Sequence, residues 1–206
     1  MTMPNKPYFR PEDSVLVLID HQLGTMQLVK TLDVERVSRL TLALARAAKI
    51  LNIPVVLTSS QEDYIQGPLL KEFKEIVPDA YEARVKRQGI VNAWSDPAFR
   101  AAIERTGRKQ IAMGGVTTDV CLVFPAIDAA RAGYQVQAVL DISGSPFEIS
   151  EETSRKRMAD EGIDFTCTNT LISEWTQDWS TPEGQQLIQL MFMEILPPIT
   201  PVMEPA

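Results

Sequence analysis

Between Ser14 and Asp20 lie five consecutive aliphatic residues, VLVLI, and the run closes on a carboxylate. Side chains alternate faces along a strand, so an unbroken apolar run of this length suits a strand covered on both sides. Five further short runs follow: PVVLTSS, EARVKR, KQIAMGG, QVQAVLDI and DFTCTN. Longer amphipathic stretches separate them. DVERVSRLTLALARAAKILN carries Val37, Leu40, Leu44, Ala47 and Leu51 at helical spacing, with Asp33 placed as N-cap and Pro54 just beyond the end. GPLLKEFKEIV reads as a short helix. DPAFRAAIERTG starts on an Asp96 cap with Pro97 in the first turn and stops at Gly107. A helix after KQIAMGG reaches Gly133, and SEETSRKRMADEG supplies another. Strands alternating with helices predict a three-layer α/β fold with a six-stranded parallel sheet.

The chain has 206 residues, enough for one domain with a full core, expected from about Tyr8 to Glu194. The segment 195–206 is proline-rich. It reads as an extended terminus, or as a partner-gripping arm built on Ile199, Val202 and Met203. A net charge of −7 argues against a nucleic-acid partner, since the basic groups RVKRQ and SRKRMADE are short and the latter is mixed with acids. The first fourteen residues lack a signal-peptide core, and VLVLI is too short to cross a bilayer. Two cysteines make no disulfide framework, so the expected compartment is reducing and cytoplasmic.

Ligands of open parallel sheets sit outside the carboxyl ends of the strands, where strand order reverses. Asp20 closes the first strand and Cys121 follows the fourth, in GGVTTDVC. With the order 3-2-1-4-5-6 the two would face each other. Cys121 is either a small core residue or a nucleophile. At a helix start, with Thr118 or Asp119 as cap, its thiol is expected to be depressed. A drop of about two units from ~8.5 would leave most of it ionised at neutral pH. Pro125 means that the helix starts near Cys121 or kinks there. Unperturbed, passing the thiol proton to an aspartate is uphill by about 6 kcal/mol. Burial of Asp20 narrows that gap, and a cation from Lys86 or Arg87 can support the charge. Cys167 reads as core packing, and Trp175 and Trp179 as packing or interface residues.

Several chemistries are excluded. His21 is the single histidine, so a multi-histidine metal site cannot form. DHQ lacks the second carboxylate of a D-x-D nucleophile motif, and MGGVTT lacks dinucleotide-binding glycine spacing.

The blocks VLVLIDHQLG, KRQGIVNAWSDPAF and GGVTTDVCLVFPAIDAARAGY resemble the isochorismatase-like cysteine hydrolase superfamily, in particular its YcaC-related branch. The resemblance runs from about Tyr8 to Trp179. It implies the strand order 3-2-1-4-5-6 and a triad of Asp20 as base, Cys121 as nucleophile and a basic residue. Arg87 stands five residues before the asparagine of NAW, as in this branch, while Lys86 is the rival because many relatives use lysine. A cis peptide is implied at Val116–Thr117, with the N–H groups of Thr117 and Cys121 as oxyanion hole. Nicotinamidase activity is not expected, because the metal-dependent nicotinamidases of the superfamily need two histidines beside an aspartate and this chain has only His21, and isochorismate hydrolysis is doubtful because those enzymes typically lack the cysteine. The expected activity is hydrolysis of a small amide or related C–N bond without metal or cofactor. Gln22, Asn92, Trp94 and Phe124 are candidates to line the pocket, Trp94 and Phe124 being equally suited to the core. The alternatives are a non-catalytic binding or assembly protein and a thiol redox sensor. Relatives form higher oligomers, often octamers, so a homo-oligomer is expected.

Overall fold

The computed structural model describes residues 7–200. Its strands are β1 (Ser14–Ile19), β2 (Val55–Ser60), β3 (Val85–Arg87), β4 (Gln110–Gly115), β5 (Gln135–Val139) and β6 (Asp164–Thr166). Its helices are α1 (Val34–Ile50), α2 (Phe73–Ile76), α3 (Pro78–Glu82), α4 (Pro97–Glu104), α5 (Val123–Arg131), α6 (Glu148–Asp160), α7 (Thr168–Thr176) and α8 (Pro182–Glu194). The strands form one parallel sheet in the order β3-β2-β1-β4-β5-β6.

β1 lies at the centre, and its alternation divides the core. Leu16 and Leu18 pack with Leu40 and Leu44 of α1, Trp175 of α7 and Leu187 of α8. Val15, Val17 and Ile19 pack on the other face with Phe99 and Ile103 of α4 and with Val123 and Ala126 of α5. Each buried aliphatic side chain contributes about 1.5–3 kcal/mol, so the run VLVLI anchors both layers. Helix starts follow local chemistry. The Asp33 carboxylate accepts from the Arg36 N–H at 2.7 Å, and Asp96 accepts from Ala98 and Phe99 ahead of Pro97.

Three local expectations are corrected. GPLLKEFKEIV is not one helix: Leu69 is buried and pairs as an isolated bridge with Gln22, leaving only Phe73–Ile76 helical before Pro78 restarts the chain. Cys167 is not core packing; β6 ends at Thr166, and Cys167 is a half-buried residue at the start of α7, its sulfur 3.2 Å from Thr170 Oγ1. The chain past Glu194 also does not leave the body at once, because Ile195 and Leu196 still pack against the core. Trp175 is buried and its indole N–H donates to Ser14 Oγ at 3.1 Å, whereas Trp179 lies beyond α7 and is partly exposed. Val202 and Met203 of the expected arm lie outside the described residues.

His21 follows the end of β1 and is fully buried, with Nε2–H donating to the Ile142 carbonyl at 2.8 Å and Nδ1 unpartnered among the described residues. Burial lowers its pKa to about 4, against a partial rise from the Ile142 bond. Unfolding frees a ring that titrates near 6.5, so between those values the unfolded chain binds the extra proton. The contribution to stability is complete above pH ~6.5 and is lost progressively as pH falls toward 4, a loss of about 3 kcal/mol. His21→Gln keeps a donor and removes the titration. Urea unfolding from pH 7 to 4 is expected to show a flatter stability curve for the variant than for the wild type.

Candidate active site

Three strand ends meet at one place. Asp20 sits directly after β1 with φ of 60°, a left-handed turn that lifts its carboxylate out of the sheet plane. Its N–H is still tied to Thr58 O at 3.0 Å. Arg87 ends β3, two strands away, and its side chain crosses β2 to reach Asp20. Its Nη2 donates to both carboxylate oxygens, Nε donates to Thr58 Oγ1 at 3.1 Å, and Nη1 donates to the carbonyls of Ile90 and Val91. Both charged residues are buried. Strand alternation separates the two basic candidates: Lys86, one residue earlier, points to the opposite face, where its exposed ammonium lies 3.4 Å from Glu62 Oε2. Arg87, and not Lys86, is therefore the cation beside Asp20.

Cys121 is placed by the exit from β4. After Gly115 comes a cis peptide between Val116 and Thr117, then a π-helical turn over Thr118–Leu122, then α5. Both earlier alternatives for Pro125 thus resolve into a widened turn before the helix, and the proline falls in the first turn of α5, where its missing N–H is tolerated. Gly115 permits the turn to fold back onto the strand, since a Cβ there would lie 3.0 Å from the carbonyl carbon and oxygen of Cys121. Neither Thr118 nor Asp119 caps the helix. Thr118 instead clamps the loop after β5, its N–H donating to Gly144 O at 2.8 Å and its Oγ1 accepting from Gly144 N at 2.7 Å. Asp119 Oδ1 is buried without a partner among the described residues.

The expectation of a depressed thiol is overturned. Burial pushes Cys121 well above the ordinary thiol range, and the charge of Asp20 with its hydrogen bond adds to the rise. Arg87 and a hydrogen bond from the Thr117 backbone act in the opposite direction and do not prevail. Asp20 is raised as well, by burial first, against the lowering effect of Arg87 and of the bond from Cys121. The resting site therefore holds a neutral thiol donating to a carboxylate that is paired with a guanidinium. The helix end is outweighed by desolvation, and the turn also spends its own donors: Cys121 N–H is bound to Thr117 O at 2.7 Å, and Leu122 N–H to the same oxygen.

A cavity of about 470 Å³ opens on this cluster, lined by Asp20, Arg87 and Cys121 together with Gly24, Thr25, Gln27, Leu28, Ser60, Gln61, Ile65, Gln66, Gly89, Val91 and Val120. None of the four expected lining residues is among them. Gln22 is buried and spent on backbone, donating to the carbonyls of Ser60 and Gly67 and accepting from Ser60 N–H. It pins the loop that carries Gln61, Ile65 and Gln66. Asn92 caps a short turn and donates to Asp128, and with Phe124 it lines a separate polar cleft. Trp94 is core, set edge-on to Phe99 and Tyr134. The true walls come from the segments that follow β1, β2, β3 and β4, which carry no periodicity. The one usable signal was Gly24, where a Cβ would collide with the Ile65 carbonyl at 1.9 Å. No cluster of His, Cys, Asp or Glu suited to a metal occurs among the described residues.

Residues 14–170 match the family described as Isochorismatase domain. The chain is 36% identical over 176 residues to the probable hydrolase YcaC of Escherichia coli, spanning 84% of each chain. It superposes on YcaC from Pseudomonas aeruginosa, described with hexane-2,5-diol and covalent acrylamide, with a TM-score of 0.88, 32% identity and 94% of each chain covered. The Escherichia coli YcaC structure, described as an octameric hydrolase of unknown specificity, matches with a TM-score of 0.86, 34% identity and 93% coverage of each.

The electrostatics carry a signed expectation. Asp20→Asn removes the anion that, after burial, holds the Cys121 thiol up. The pH midpoint of iodoacetamide labelling at Cys121, read by peptide mass spectrometry, is expected to move to lower pH in this variant, with labelling at Cys167 unchanged.

Proposed function

The chain belongs to the isochorismatase family, in its YcaC-related branch, and we propose that this hydrolase cleaves a small amide or related C–N bond through an acyl-enzyme on Cys121. The observation that carries the reading is the cluster of Cys121, Asp20 and Arg87 at the floor of one cavity. The sulfur attacks the carbonyl carbon as the thiol proton passes to Asp20, and the carbonyl π electrons move to oxygen. The Thr117 N–H, already directed at the sulfur, is the first donor for that oxygen. Cys121 N–H is committed to Thr117 O at rest, so its share requires the turn to relax. Collapse of the tetrahedral species breaks the C–N bond, and the amine leaves with the proton held on Asp20. Asp20 then takes a proton from water, whose oxygen attacks the thioester. Collapse releases the acid as the sulfur recovers its proton.

The negative charge starts on Asp20 beside Arg87, passes to the carbonyl oxygen as the sulfur forms its bond, and returns to Asp20 when the amine leaves with the proton. A raised Asp20 lessens the cost of moving the proton, and a neutral resting thiol means that the transfer accompanies attack rather than preceding it. No metal or cofactor is required. Pseudomonas aeruginosa YcaC is described with covalent acrylamide, and the present reading assigns the corresponding electrophile-reactive position to Cys121.

Escherichia coli YcaC is described as octameric, and we propose a homo-oligomer for this chain as well, with Phe192 and Met193 exposed at the end of α8. No helix among the described residues is long and apolar enough to cross a membrane.

Turnover on a panel of small amides is expected to fall at least about a thousandfold in Cys121→Ala and in Asp20→Asn, measured as ammonia release. Ligand binding without turnover would point to a binding protein, and reversible oxidation without turnover to a sensor. Light scattering is expected to show a smaller assembly for the double variant Phe192→Glu, Met193→Glu.

A further inference from the structure

We propose that the cavity beside Cys121 selects an uncharged amide with a short aliphatic acyl group and turns away analogues bearing a carboxylate or an ammonium. This inference rests on the hydrolase reading above and names its substrate class.

The first argument is a count of donors. A guanidinium has five N–H groups. In Arg87 all three nitrogens already hold protein acceptors: Nε has Thr58 Oγ1, Nη1 the carbonyls of Ile90 and Val91, and Nη2 the carboxylate of Asp20. Among the described residues Arg87 is the one cationic side chain lining the cavity, and its charge is already paired with Asp20. Asp20 is the one anionic lining residue among those described, and both of its oxygens are held by Arg87. A charged substrate group would thus shed its water without meeting an uncommitted charge of opposite sign. The net charge of −7 opposes anionic substrates further.

The walls fit the same class. Leu28, Ile65, Val91 and Val120 are aliphatic, and no aromatic ring lines the cavity among the described residues. Its volume of about 470 Å³ lies in the lower half of the range for small-molecule sites, roughly 300–1,000 Å³. Neutral polar capacity remains in the lining residues. Thr25 Oγ1 and Gln66 Oε1 are buried without a partner among the described residues, which suits a carboxamide better than an ion.

The test uses the full-length wild-type protein and pairs of nearly isosteric competitors. Isocaproamide and succinamate differ by an isopropyl group against a carboxylate, and valeramide and γ-aminobutyramide by a methyl against an ammonium. Protection of Cys121 from iodoacetamide is read by peptide mass spectrometry, and ammonia release is followed in parallel. The neutral member of each pair is expected to protect at concentrations about a hundredfold lower than its charged partner. Leu28→Arg, which adds a free guanidinium to the wall, is expected to shift the succinamate-to-isocaproamide ratio by about tenfold toward succinamate. Equal protection by succinamate or γ-aminobutyramide overturns the proposal, and so does failure of both neutral amides to protect. Protection by the neutral amides without ammonia release would leave the selectivity standing and overturn the hydrolase reading, so the two failures are distinguishable.

Discussion

The buried pair of Asp20 and Arg87 is the interaction on which the site depends. It joins the end of the central strand to a strand two places away, and on the way the guanidinium takes Thr58 and the loop at Ile90 and Val91 into the same network. Removing one partner would strand the other charge in the interior, at a cost of about 3–5 kcal/mol. The cost of burying the pair is offset because each guanidinium nitrogen holds a protein acceptor. The same pairing leaves the cavity with no uncommitted charged side chain among the described residues, so one hydrogen-bond network sets both the geometry of the base and the character of the pocket.

Cys121 enters this network from the other side of the sheet reversal. The widened turn after β4 presents the sulfur to Asp20 and to the Thr117 backbone, and it does so because Gly115 leaves room for the chain to fold back. The result is a thiol kept neutral by its surroundings. A free thiolate would be exposed to oxidation and indiscriminate alkylation, whereas a protonated thiol hydrogen-bonded to a paired carboxylate reacts when a carbonyl is in position to receive it. The helix end, taken alone, argues for the opposite state. Desolvation is the stronger effect here, and the turn consumes the N–H groups that would have favoured the anion.

The pocket walls belong to the segments after β1, β2, β3 and β4. Gln22 ties the first two together without facing the cavity, its amide bridging Ser60 and Gly67. A conspicuous polar residue next to the base therefore serves the architecture, while the apolar surface is supplied by Leu28, Ile65 and Val91, which nothing in their local pattern distinguishes.

The sequence alone determined the six strands, the α/β class, both Asp caps and the positions of Asp20 and Cys121 at strand ends, because hydrophobic periodicity and capping are local properties of the chain. The resemblance of three blocks added the strand order and the preference for Arg87. Tertiary structure decided what depends on distance across the fold. It chose Arg87 over Lys86 by the face each takes on β3, moved Trp94 into the core, and assigned Asn92 and Phe124 to a different cleft. It also reversed the expected state of the thiol. Spacing along the chain reveals which residues share a face, but burial and the sharing of donors among segments far apart in sequence arise only once those segments are packed together.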